Sequence, residues 1–523
     1  MEALVEAVLF LTVAILGTAL ARRFGLLSPI LLVFAGLGLS LVPGFPDIRL
    51  HPEVVLAGIL PPLLYVAAVE TSVPAFRRNL RPILLLAVGL VLFTAVLVGV
   101  VVHLLLPELP LAICLAFGAV VAPPDAIAAT AVARRVGLPR RVVTILEGES
   151  LVNDATALVL LRVATAAALG AAVQVGEVVV EVVVAAGGGI LVGAAGALVI
   201  GLAHRRTSDP VLDNALSLLT PFLVALVAEL IGASSVVAVV VAGLALGHRL
   251  PVLMSAASRL QMTAFWNLVK FLLEGVVFLL VGLQLRDVVQ ALEPPWTRVA
   301  LVTGVVLLTV LVGRFVWVFP AAYLVRLAPR FAGGEPRPPV GLPVVVSWAG
   351  MRGVVTLAAA LSLPLTLAGG ATYPRELFIW TALAVIMVTL VVQGTTLPAV
   401  ARRSNLPPDD PAADVLAGAA VQQEATRAAE QRLAAAGDEL PPAVRERLRQ
   451  SVRNRALGAW ELLGGDEETP SQAYARLRRE MIEAEREVFR RARDDGRIAE
   501  EVLVRAYRDL DLEESLLRHG SAE

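Results

Sequence analysis

Residues 147–154 place several polar side chains inside a long apolar stretch of the chain. Side chains four positions apart face one another on a helix, so Glu149 lies beside Asn153 and Ser150 beside Asp154. Two carboxylates, a hydroxyl and an amide therefore share one helical stripe. Such oxygen ligands suit a small cation, and a carboxylate there holds either a proton or a cation. The alternative interpretation is a set of polar contacts between helices.

A pair of prolines interrupts the preceding apolar stretch. Pro123 and Pro124 lack the N–H donors of a helix interior, and their rings clash with the turn before them. Carbonyl groups upstream lose their donors, so in a membrane they must be buried in protein or line a polar cavity. Asp125 begins the next helical stretch, where free N–H groups stabilise a carboxylate. A structural kink capped by Asp125 is the alternative.

A second interruption lies near residue 350. Gly350 and Gly353 flank Arg352 in an otherwise apolar segment, which predicts another broken helix. An unpaired buried charge is prohibitively costly. We therefore expect Arg352 to have a carboxylate partner, either Glu149 or Asp154.

Ionisable residues inside a membrane span are candidates for function, because each costs about 2.5–3.5 kcal/mol on insertion scales. Two of them, Lys270 and Glu274, lie four positions apart and are predicted to pair with each other. The ionisable residues inside apolar stretches are Glu70, Asp125, Glu149, Asp154, Arg162, Glu229, Lys270, Glu274, Arg314 and Arg352.

The elements that carry these residues are predicted membrane helices. The 523-residue chain is 57% hydrophobic, with a mean hydropathy of +0.78, and apolar runs of about 18 residues or more mark transmembrane helices. We predict thirteen spans, of which the second and the ninth are short for a bilayer of about 30 Å. They cover residues 3–21, 28–42, 53–73, 82–106, 109–133, 141–169, 177–203, 211–231, 234–248, 262–285, 297–325, 340–365 and 376–401.

Arginine is concentrated in alternate loops, because it follows every odd-numbered span. The other loops are poorer in arginine and carry Asp47, Glu53, Glu108, Glu177 and Glu293. Positive charge in short loops stays on the cytoplasmic side of a membrane. The alternation therefore predicts a multi-pass protein of the cell inner membrane, with its N-terminus outside and its C-terminus in the cytoplasm.

Three further observations narrow the class of protein. Glu2 and Glu6 stand where a cleavable signal has basic residues, so the first apolar stretch is expected to remain as a helix. Cys114 is the only cysteine, which excludes an intrachain disulfide and a thiol metal site. The sequence contains no nucleotide-binding loop, haem motif or metal-ligand cluster, and we expect neither a cofactor nor a nucleic-acid partner.

The composition changes after residue 403. We predict a transmembrane domain over residues 1–403 and a charged cytoplasmic domain over residues 404–523. The second domain holds 25 acidic and 18 basic residues and is rich in Ala, Arg, Glu and Leu, which favour helix. A small helical domain is the simplest interpretation, and a regulatory or partner-binding role is the alternative.

The two interrupted spans occupy matching places in the predicted order. If spans one to six and eight to thirteen form two repeats, the broken span is the fifth in each, and the two repeats have opposite orientations. Paired broken helices in inverted repeats are typical of a transporter site at the bilayer midplane. The expected fold is thus all-α and polytopic, with two interrupted crossing helices and a helical cytoplasmic tail.

Several motifs in this sequence resemble those of bacterial cation/proton antiporters of the monovalent cation:proton antiporter-1 family, which are related to animal sodium/proton exchangers. The Asn-Asp motif is the most specific of them, and the resemblance covers nearly the whole chain. The matching segments are residues 61–65, 122–125, 148–155, 265–266, 278–284 and 348–353.

The resemblance implies the residues of an ion site. Asp154 is implied to be the carboxylate that alternates between proton and cation, and Asp125, Ser150 and Glu70 complete the site. We expect Asn153, which lies on the same helical stripe, to be an ion-binding residue as well. Na⁺ is expected at Asp154, Asp125 and Ser150.

The resemblance also implies how the protein is held together. It implies an ion pair between Glu149 and Arg352 that holds the two crossing segments, and a homodimer in membrane lipid. The expected activity is exchange of a monovalent cation for H⁺ without enzymatic chemistry. Na⁺ is the first candidate cation, and Li⁺ and K⁺ are the alternatives.

Two positions bear on how this chain departs from its relatives. The family usually has Thr where this chain has Pro124, so a hydroxyl near the ion is lost and the ligand set is affected. In relatives that move two protons per cation, an Asp commonly precedes the essential Asp. Here that position is Asn153, which does not titrate, and we expect electroneutral exchange of one H⁺ per cation.

Other classes of function are alternatives. An ion channel or a sensor with a cytoplasmic regulatory tail would show a conductance or no coupled counter-transport. An intramembrane aspartyl protease would use Asp125 and Asp154 as a pair of catalytic carboxylates. The sequence around these residues lacks a glycine-rich protease context, and such a pair does not require Arg352.

Overall fold

In a computed structural model, the described residues form helices joined by short loops, and no strand occurs among them. The described residues are 2–24, 27–42, 50–171, 175–207, 209–323, 338–407, 409–436, 441–461 and 468–519. They fall into two compact units, which divide between residues 408 and 409.

The first unit contains eighteen α-helices in its described part. Three one-turn π-helical segments extend or join them, and these segments cover Val54–Ile59, Leu85–Leu90 and Thr389–Gln393. A short 3₁₀ turn covers Ala368–Gly370. The α-helices are α1 (Glu2–Phe24), α2 (Ser28–Ser40), α3 (Leu60–Glu70), α4 (Val73–Arg78), α5 (Leu80–Leu84), α6 (Val91–Leu105), α7 (Leu111–Val121), α8 (Ala126–Val136), α9 (Arg140–Ala168), α10 (Val175–Arg206), α11 (Pro210–Leu230), α12 (Ser235–Leu253), α13 (Ala256–Gln290), α14 (Trp296–Tyr323), α15 (Gly341–Trp348), α16 (Val354–Leu361), α17 (Arg375–Val388) and α18 (Gly394–Arg403).

Eight helices among the described residues are long and apolar enough to cross a membrane. One of them, α12, covers the predicted ninth span with 19 residues. The predicted second span is α2, whose 13 residues extend about 20 Å at 1.5 Å per residue. The all-helical, polytopic architecture is confirmed, whereas the total of thirteen spans stays a prediction. The eight long helices cover Leu80–Leu105, Arg140–Ala168, Val180–Arg206, Pro210–Leu230, Ser235–Leu253, Ala256–Gln290, Trp296–Tyr323 and Arg375–Arg403.

Close packing of backbones holds α2 against α13. A Cβ added at Gly36 would overlap the carbonyl oxygen of Leu279, and one added at Gly282 would overlap that of Val33. Small residues at a membrane helix interface let backbones approach closely, and packing replaces the hydrophobic effect there. Each of these two glycines therefore makes room for the backbone of the other helix.

The described part of the second unit forms four charged helices, in agreement with the predicted helical character. A capping box starts α21 (Pro470–Asp494), in which the Thr469 side chain and the Gln472 side chain each bind the backbone of the other residue. Ile482 on α21 is buried, as are Leu503 and Leu510 on α22 (Glu500–His519). The helices are α19 (Pro411–Ala435), α20 (Pro442–Glu461), α21 (Pro470–Asp494) and α22 (Glu500–His519).

Ion pairs join α21 to α22. The Arg478 guanidinium donates two hydrogen bonds of 2.7 Å to the Glu513 carboxylate, and Arg486 lies 2.6 Å from Glu514. These pairs are partly exposed to solvent. The bond from Arg478 holds the pKa of Glu513 below its usual value of 4.5.

Candidate functional site

The first break in the helices lies where the prolines predict it. The helix α7 ends at Val121, residues 122–125 are not helical, and α8 begins at Ala126. Pro123 and Pro124 are buried in protein, so the unwound backbone avoids contact with lipid, as its lost hydrogen bonds require.

The second break lies between α15 and α16, at residues 349–353. The two unwound segments meet directly, because the backbone N–H of Asp125 donates a 2.7 Å hydrogen bond to the carbonyl of Met351. A Cβ at Gly353 would overlap the Asp125 side chain. Glycine at position 353 therefore allows the close approach, while its backbone is extended.

Arg352 is buried at this crossing, with 1% of its surface exposed. Its guanidinium donates to the carbonyls of Val121, at 3.2 Å, and Ala122, at 3.4 Å, and to that of Gly350. Its backbone N–H donates to the Thr389 hydroxyl at 3.0 Å. The carbonyls at the end of α7 carry the negative end of the helix dipole. Arg352 therefore supplies the donors that the proline break removes.

Glu149 has a different partner from the one predicted. Both of its carboxylate oxygens accept from the Arg314 guanidinium, at 2.7 and 2.8 Å, and the predicted ion pair of Glu149 with Arg352 is wrong. The side chains of Glu149 and Arg314 are each 2% exposed. The physical reason is that Arg352 is held by backbone carbonyls, whereas Arg314 on α14 reaches Glu149 in a bidentate geometry that stabilises buried charges.

Gly350 makes this ion pair possible. A Cβ at position 350 would lie 2.5 Å from the Arg314 Cδ atom and 2.6 Å from its Nε atom. The Nε atom also donates to the carbonyl of Val346 at 3.1 Å. The glycines flanking Arg352 thus have separate roles, since Gly350 accommodates Arg314 and Gly353 accommodates Asp125.

Asn153 supports the first break. Its amide nitrogen donates a 2.6 Å hydrogen bond to the carbonyl of Pro124, and the residue is fully buried. Its Oδ1 atom is also buried and has no hydrogen-bond partner among the described residues. Asn153 does not line the cavity described next. The structure therefore places Asn153 as a link between α9 and the unwound segment, apart from the other predicted ion-binding residues.

A cavity of about 250 Å³ brings four of the predicted site residues together. Its wall includes Glu70, Asp125, Ser150 and Asp154, and much of the rest is apolar. Asp154 is 6% exposed. A carboxylate in such a place loses most of its hydration, so it needs a bound proton or a bound cation to balance its charge.

Two ion pairs line the same cavity, Lys270 with Glu70 and Arg134 with Glu147. Lys270 lies with its Nζ atom 3.3 Å from the Glu70 Oε2 atom, so its partner is on α3 and the predicted pairing with Glu274 is replaced. Arg134 donates a 2.7 Å hydrogen bond to Glu147. Glu274 also lines the cavity, and its buried Oε1 atom accepts no hydrogen bond from the described residues.

The profile of a known family matches this chain over residues 9–403. The family is described as the transmembrane sodium/hydrogen exchanger. This chain belongs to that family. The match ends at the last residue of α18 and contains both helix breaks and the cavity.

Named relatives are consistent with sodium/hydrogen exchanger membership. The chain is 38% identical, over 539 aligned residues, to an uncharacterized Na⁺/H⁺ exchanger of Mycobacterium tuberculosis, covering 99% of this chain and 97% of that protein. It is 32% identical to a sodium, potassium, lithium and rubidium/H⁺ antiporter of Bacillus pumilus, covering 76% of this chain and 61% of that protein.

A solved structure supports the exchanger fold. The sodium proton antiporter MjNhaP1 from Methanocaldococcus jannaschii superposes with a TM-score of 0.60 at 19% sequence identity. The superposition covers 77% of this chain and 99% of the antiporter. At this identity the comparison establishes the shared architecture, while the site rests on the residues of this chain.

For three residues at this site, the sequence predicts a role that differs from the one in the structure, or no role. Arg314 stands among the ionisable residues of the apolar stretches, and its buried charge is the signal that it needs a carboxylate. Lys270 and Glu274 stand there too, but their spacing of four suggests a pair within one helix. No sequence pattern indicates that Glu70 on α3 lies beside Lys270.

Proposed function

We propose that this exchanger-family protein is a secondary antiporter that moves a monovalent cation and H⁺ in opposite directions across the cell membrane. Na⁺ is the proposed first substrate, with Li⁺ and K⁺ as alternatives. The observation that carries the proposal is that Asp154 and Asp125 line one cavity beside the crossing of two broken helices. The name of the Bacillus pumilus relative, which covers four cations, favours testing all three ions.

Asp154 is the proposed carrier of both substrates. A carboxylate with little exposed surface binds a proton or a cation, and the two compete for the same charge. A cation that arrives from one side displaces the proton, and a proton displaces the cation on the other side. Asp125 and Ser150 supply further oxygen ligands for Na⁺, which suits a hard cation.

The pair of Glu149 with Arg314 takes no part in this proposed cycle. Its two charges are balanced by each other in a bidentate geometry, and both side chains are almost fully buried. Asn153 does not titrate, so the stripe on α9 offers Asp154 as the cycling carboxylate. We propose that one H⁺ is exchanged for one cation, without net charge movement.

Assembly and orientation are proposed with the same activity. By the positive-inside rule, the arginine-rich loops support a cytoplasmic location for the C-terminal unit. A homodimer in the cell membrane is the proposed assembly. The cavity wall contains Arg134 and Glu147, which lie at the cytoplasmic side in this orientation, and we propose that the cavity opens to that side.

The test uses purified full-length protein in liposomes that contain a pH-sensitive dye. After a pH gradient is imposed, Na⁺, Li⁺ and K⁺ are added in turn to the wild type and to Asp154→Asn. Collapse of the gradient by a cation, lost in the variant, is the expected result. A membrane potential imposed across the same vesicles without a gradient of any candidate cation should leave the exchange rate unchanged if exchange is one to one.

Asp213→Asn is the matched control. Asp213 is also a fully buried carboxylate of a membrane helix, but it binds His204 at 2.9 Å and does not line the cavity. An asparagine can keep that hydrogen bond, so this variant should retain exchange. Exchange that survives in Asp154→Asn would refute the assignment of the carrier, and a rate that follows the potential would refute the stoichiometry.

A further inference from the structure

A second cavity, of about 470 Å³, borders α13. The cavity that contains Asp154, here called the ion cavity, borders the same helix. The two cavities share three wall residues, which are Lys270, Glu274 and Phe278. These residues follow one another at intervals of four, so they form one stripe along α13. The stripe is therefore a common wall of the two cavities.

The second cavity has polar groups on its wall and lies toward the cytoplasm in the proposed orientation. Thr18, Ser28 and Asn267 belong to this wall, and Asn267 is exposed. Ser28 begins α2 shortly after Arg22 and Arg23, which predict a cytoplasmic loop. A water molecule takes about 30 Å³ in the liquid, so both cavities have room for several. Water can therefore approach α13 from a side that the ion cavity does not use.

Glu274 is the carboxylate of the common wall. Its Oε1 atom is buried and accepts no hydrogen bond from the described residues. A buried acceptor without a partner costs about 1–3 kcal/mol, so this atom calls for a partner that the described residues do not supply. Water in either cavity can supply one. Carboxyl groups inside membrane spans also serve as proton relays in transporters, which gives this costly group a function.

The charges on the wall of the second cavity suit a proton better than a metal cation. Among the described residues of that wall, Lys270 and Glu274 are the charged ones, and their formal charges cancel. A Na⁺ ion that leaves bulk water needs several oxygen ligands and gains little from a wall without net charge. A proton needs only a chain of hydrogen bonds through water and one carboxyl group. The ion cavity, which holds Asp154, is the path that suits the cation.

We propose that Glu274 is a proton-transfer residue that connects the second cavity with the ion cavity, so that H⁺ and the cation reach Asp154 by different paths. This inference rests on the proposed function, because it supplies the H⁺ path of that exchange. The cation path passes Glu70 and the ion pair of Arg134 with Glu147, which line the ion cavity alone.

The proton transfer balances at each step. Water in the second cavity gives a proton to a Glu274 carboxylate oxygen, and the cytoplasm replaces that proton. The new O–H bond on Glu274 breaks when the proton passes to water in the ion cavity, from which the Asp154 carboxylate takes one. Release of a proton from Asp154 reverses these steps. Glu274 ends each cycle as it began, so one H⁺ still moves for each cation.

Other ionisable groups line the ion cavity together with Glu274. Lys270 lies on the same helix, and the described residues of α1 and α2 on the second wall carry no ionisable group. All of these groups remain in a Glu274 variant, so a changed pH dependence would report Glu274 itself. The groups on other elements are Glu70 on α3, Asp125 after α7, Arg134 on α8, and Glu147 and Asp154 on α9.

The first experiment measures exchange by full-length protein in liposomes across a range of pH. Glu274→Gln keeps the shape of the side chain but cannot pass a proton. Its maximal rate should fall by about tenfold at alkaline pH, where protons are scarce, since water remains as a slower path. The Na⁺ concentration for half-maximal rate should not change, and the deficit should shrink as the pH falls. Glu274→Asp keeps a carboxyl group and should recover most of the rate.

Glu229→Gln is the matched control for the same substitution. Glu229 is exposed on α11 and lines neither cavity, so this variant should exchange as the wild type does. A wild-type rate and pH profile in Glu274→Gln would overturn the proposal. An equal loss in Glu274→Asp, or a raised Na⁺ concentration for half-maximal rate, would indicate a structural role and would overturn it too.

The second experiment tests water access to the second cavity without relying on transport. Cys114 is the only cysteine and is buried, so a single introduced thiol can be followed. Thr18 is 5% exposed and lines the second cavity. Thr18→Cys should react with a small charged thiosulfonate reagent added from the cytoplasmic side, whereas the wild type should not. The modified protein should show the alkaline deficit of Glu274→Gln.

The two experiments separate failure of this inference from failure of the proposed function. Normal exchange by Thr18→Cys, with a thiol that does not react from the cytoplasmic side, would overturn the second path alone. A wild type that exchanges no cation for H⁺ would overturn the proposed function, and this inference with it.

Discussion

Two ion pairs in this molecule have nearly the same geometry in opposite surroundings. Arg314 holds Glu149 through two hydrogen bonds of 2.7 and 2.8 Å, and Arg478 holds Glu513 through two of 2.7 Å. The first pair is 2% exposed on both sides, whereas Arg478 is 18% and Glu513 40% exposed. Water can replace either partner in the second pair but not in the first. Burial, more than geometry, should therefore decide what each pair contributes.

The largest effect is expected from breaking the buried pair. Arg314→Met leaves Glu149 buried without a countercharge, and such a loss costs about 3–5 kcal/mol. The free energy of unfolding in detergent, measured with a chemical denaturant, should fall by that amount. Glu149→Gln should have a similar effect through the unpaired guanidinium.

The double variant Arg314→Met with Glu149→Leu is the control for this prediction. It removes both charges, and replacing a buried ion pair by apolar residues is often neutral or stabilising. The double variant should therefore be more stable than either single variant. A loss below about 1 kcal/mol in Arg314→Met would show that the pair behaves like an exposed one.

An intermediate effect is expected at Arg352, whose charge is balanced by backbone carbonyls. Arg352→Met leaves the carbonyls of Val121 and Ala122 without these donors. An unsatisfied buried acceptor costs about 1–3 kcal/mol, and no charged group is left behind. The same denaturant measurement should place this variant between Arg314→Met and the wild type. Arg352→Lys keeps a charge at the end of α7 and should recover part of the loss.

The smallest effect is expected in the C-terminal unit. Arg478→Met should loosen the contact of α21 with α22 only slightly, because solvent screens the charges. The hydrogen bond from Arg478 lowers the pKa of Glu513 below 4.5. A carboxyl group whose pKa is lower in the folded state stabilises that state, and the stabilisation is complete above the pKa of the unfolded state. It is lost as the pH falls through the pKa of the folded state. The contact should therefore weaken below about pH 4.5.

Hydrogen exchange of the full-length protein measures this contact. Protection of the α21 and α22 amides, corrected for the intrinsic pH dependence of exchange, should fall between pH 5 and pH 3 in wild type, and by less in Arg478→Met. If Arg478→Met instead loses as much free energy of protection as Arg314→Met loses in free energy of unfolding, solvent exposure does not explain the difference between the two ion pairs.

The positions of the helix breaks could be predicted from the sequence, and the partners of the charges could not. Prolines and glycines act on their own backbone, so Pro123 and Gly350 indicate local structure directly. The partner of Glu149 is 165 residues away on a helix whose position depends on the whole packing arrangement. The sequence predicts a carboxylate partner for Arg352 and lists Arg314 only among the ionisable residues of apolar stretches. It does not show which of the two arginines faces Glu149.

In the candidate site, too, the sequence predicts some features and not others. The stripe on α9 brings Ser150 and Asp154 to one face by helical spacing, and both residues line the cavity. Asn153 belongs to the same motif, yet it binds the carbonyl of Pro124. The neighbour that fixes this role lies in the unwound segment after α7. The pairing of Lys270 with Glu70 joins residues that are 200 positions apart in the chain, which a spacing of four within α13 could not indicate.

The separation of Glu149 from Arg314 along the chain also has a consequence for biogenesis. Ribosomes add about 5–20 residues per second, so an interval of roughly 10–30 s separates synthesis of the two residues. During this interval α9 must enter the membrane before α14 exists. Glu149 therefore has no countercharge while it waits, and the arrival of Arg314 supplies one. Completion of this ion pair is a late step in assembly, and a chain truncated before α14 would leave α9 carrying an uncompensated acid.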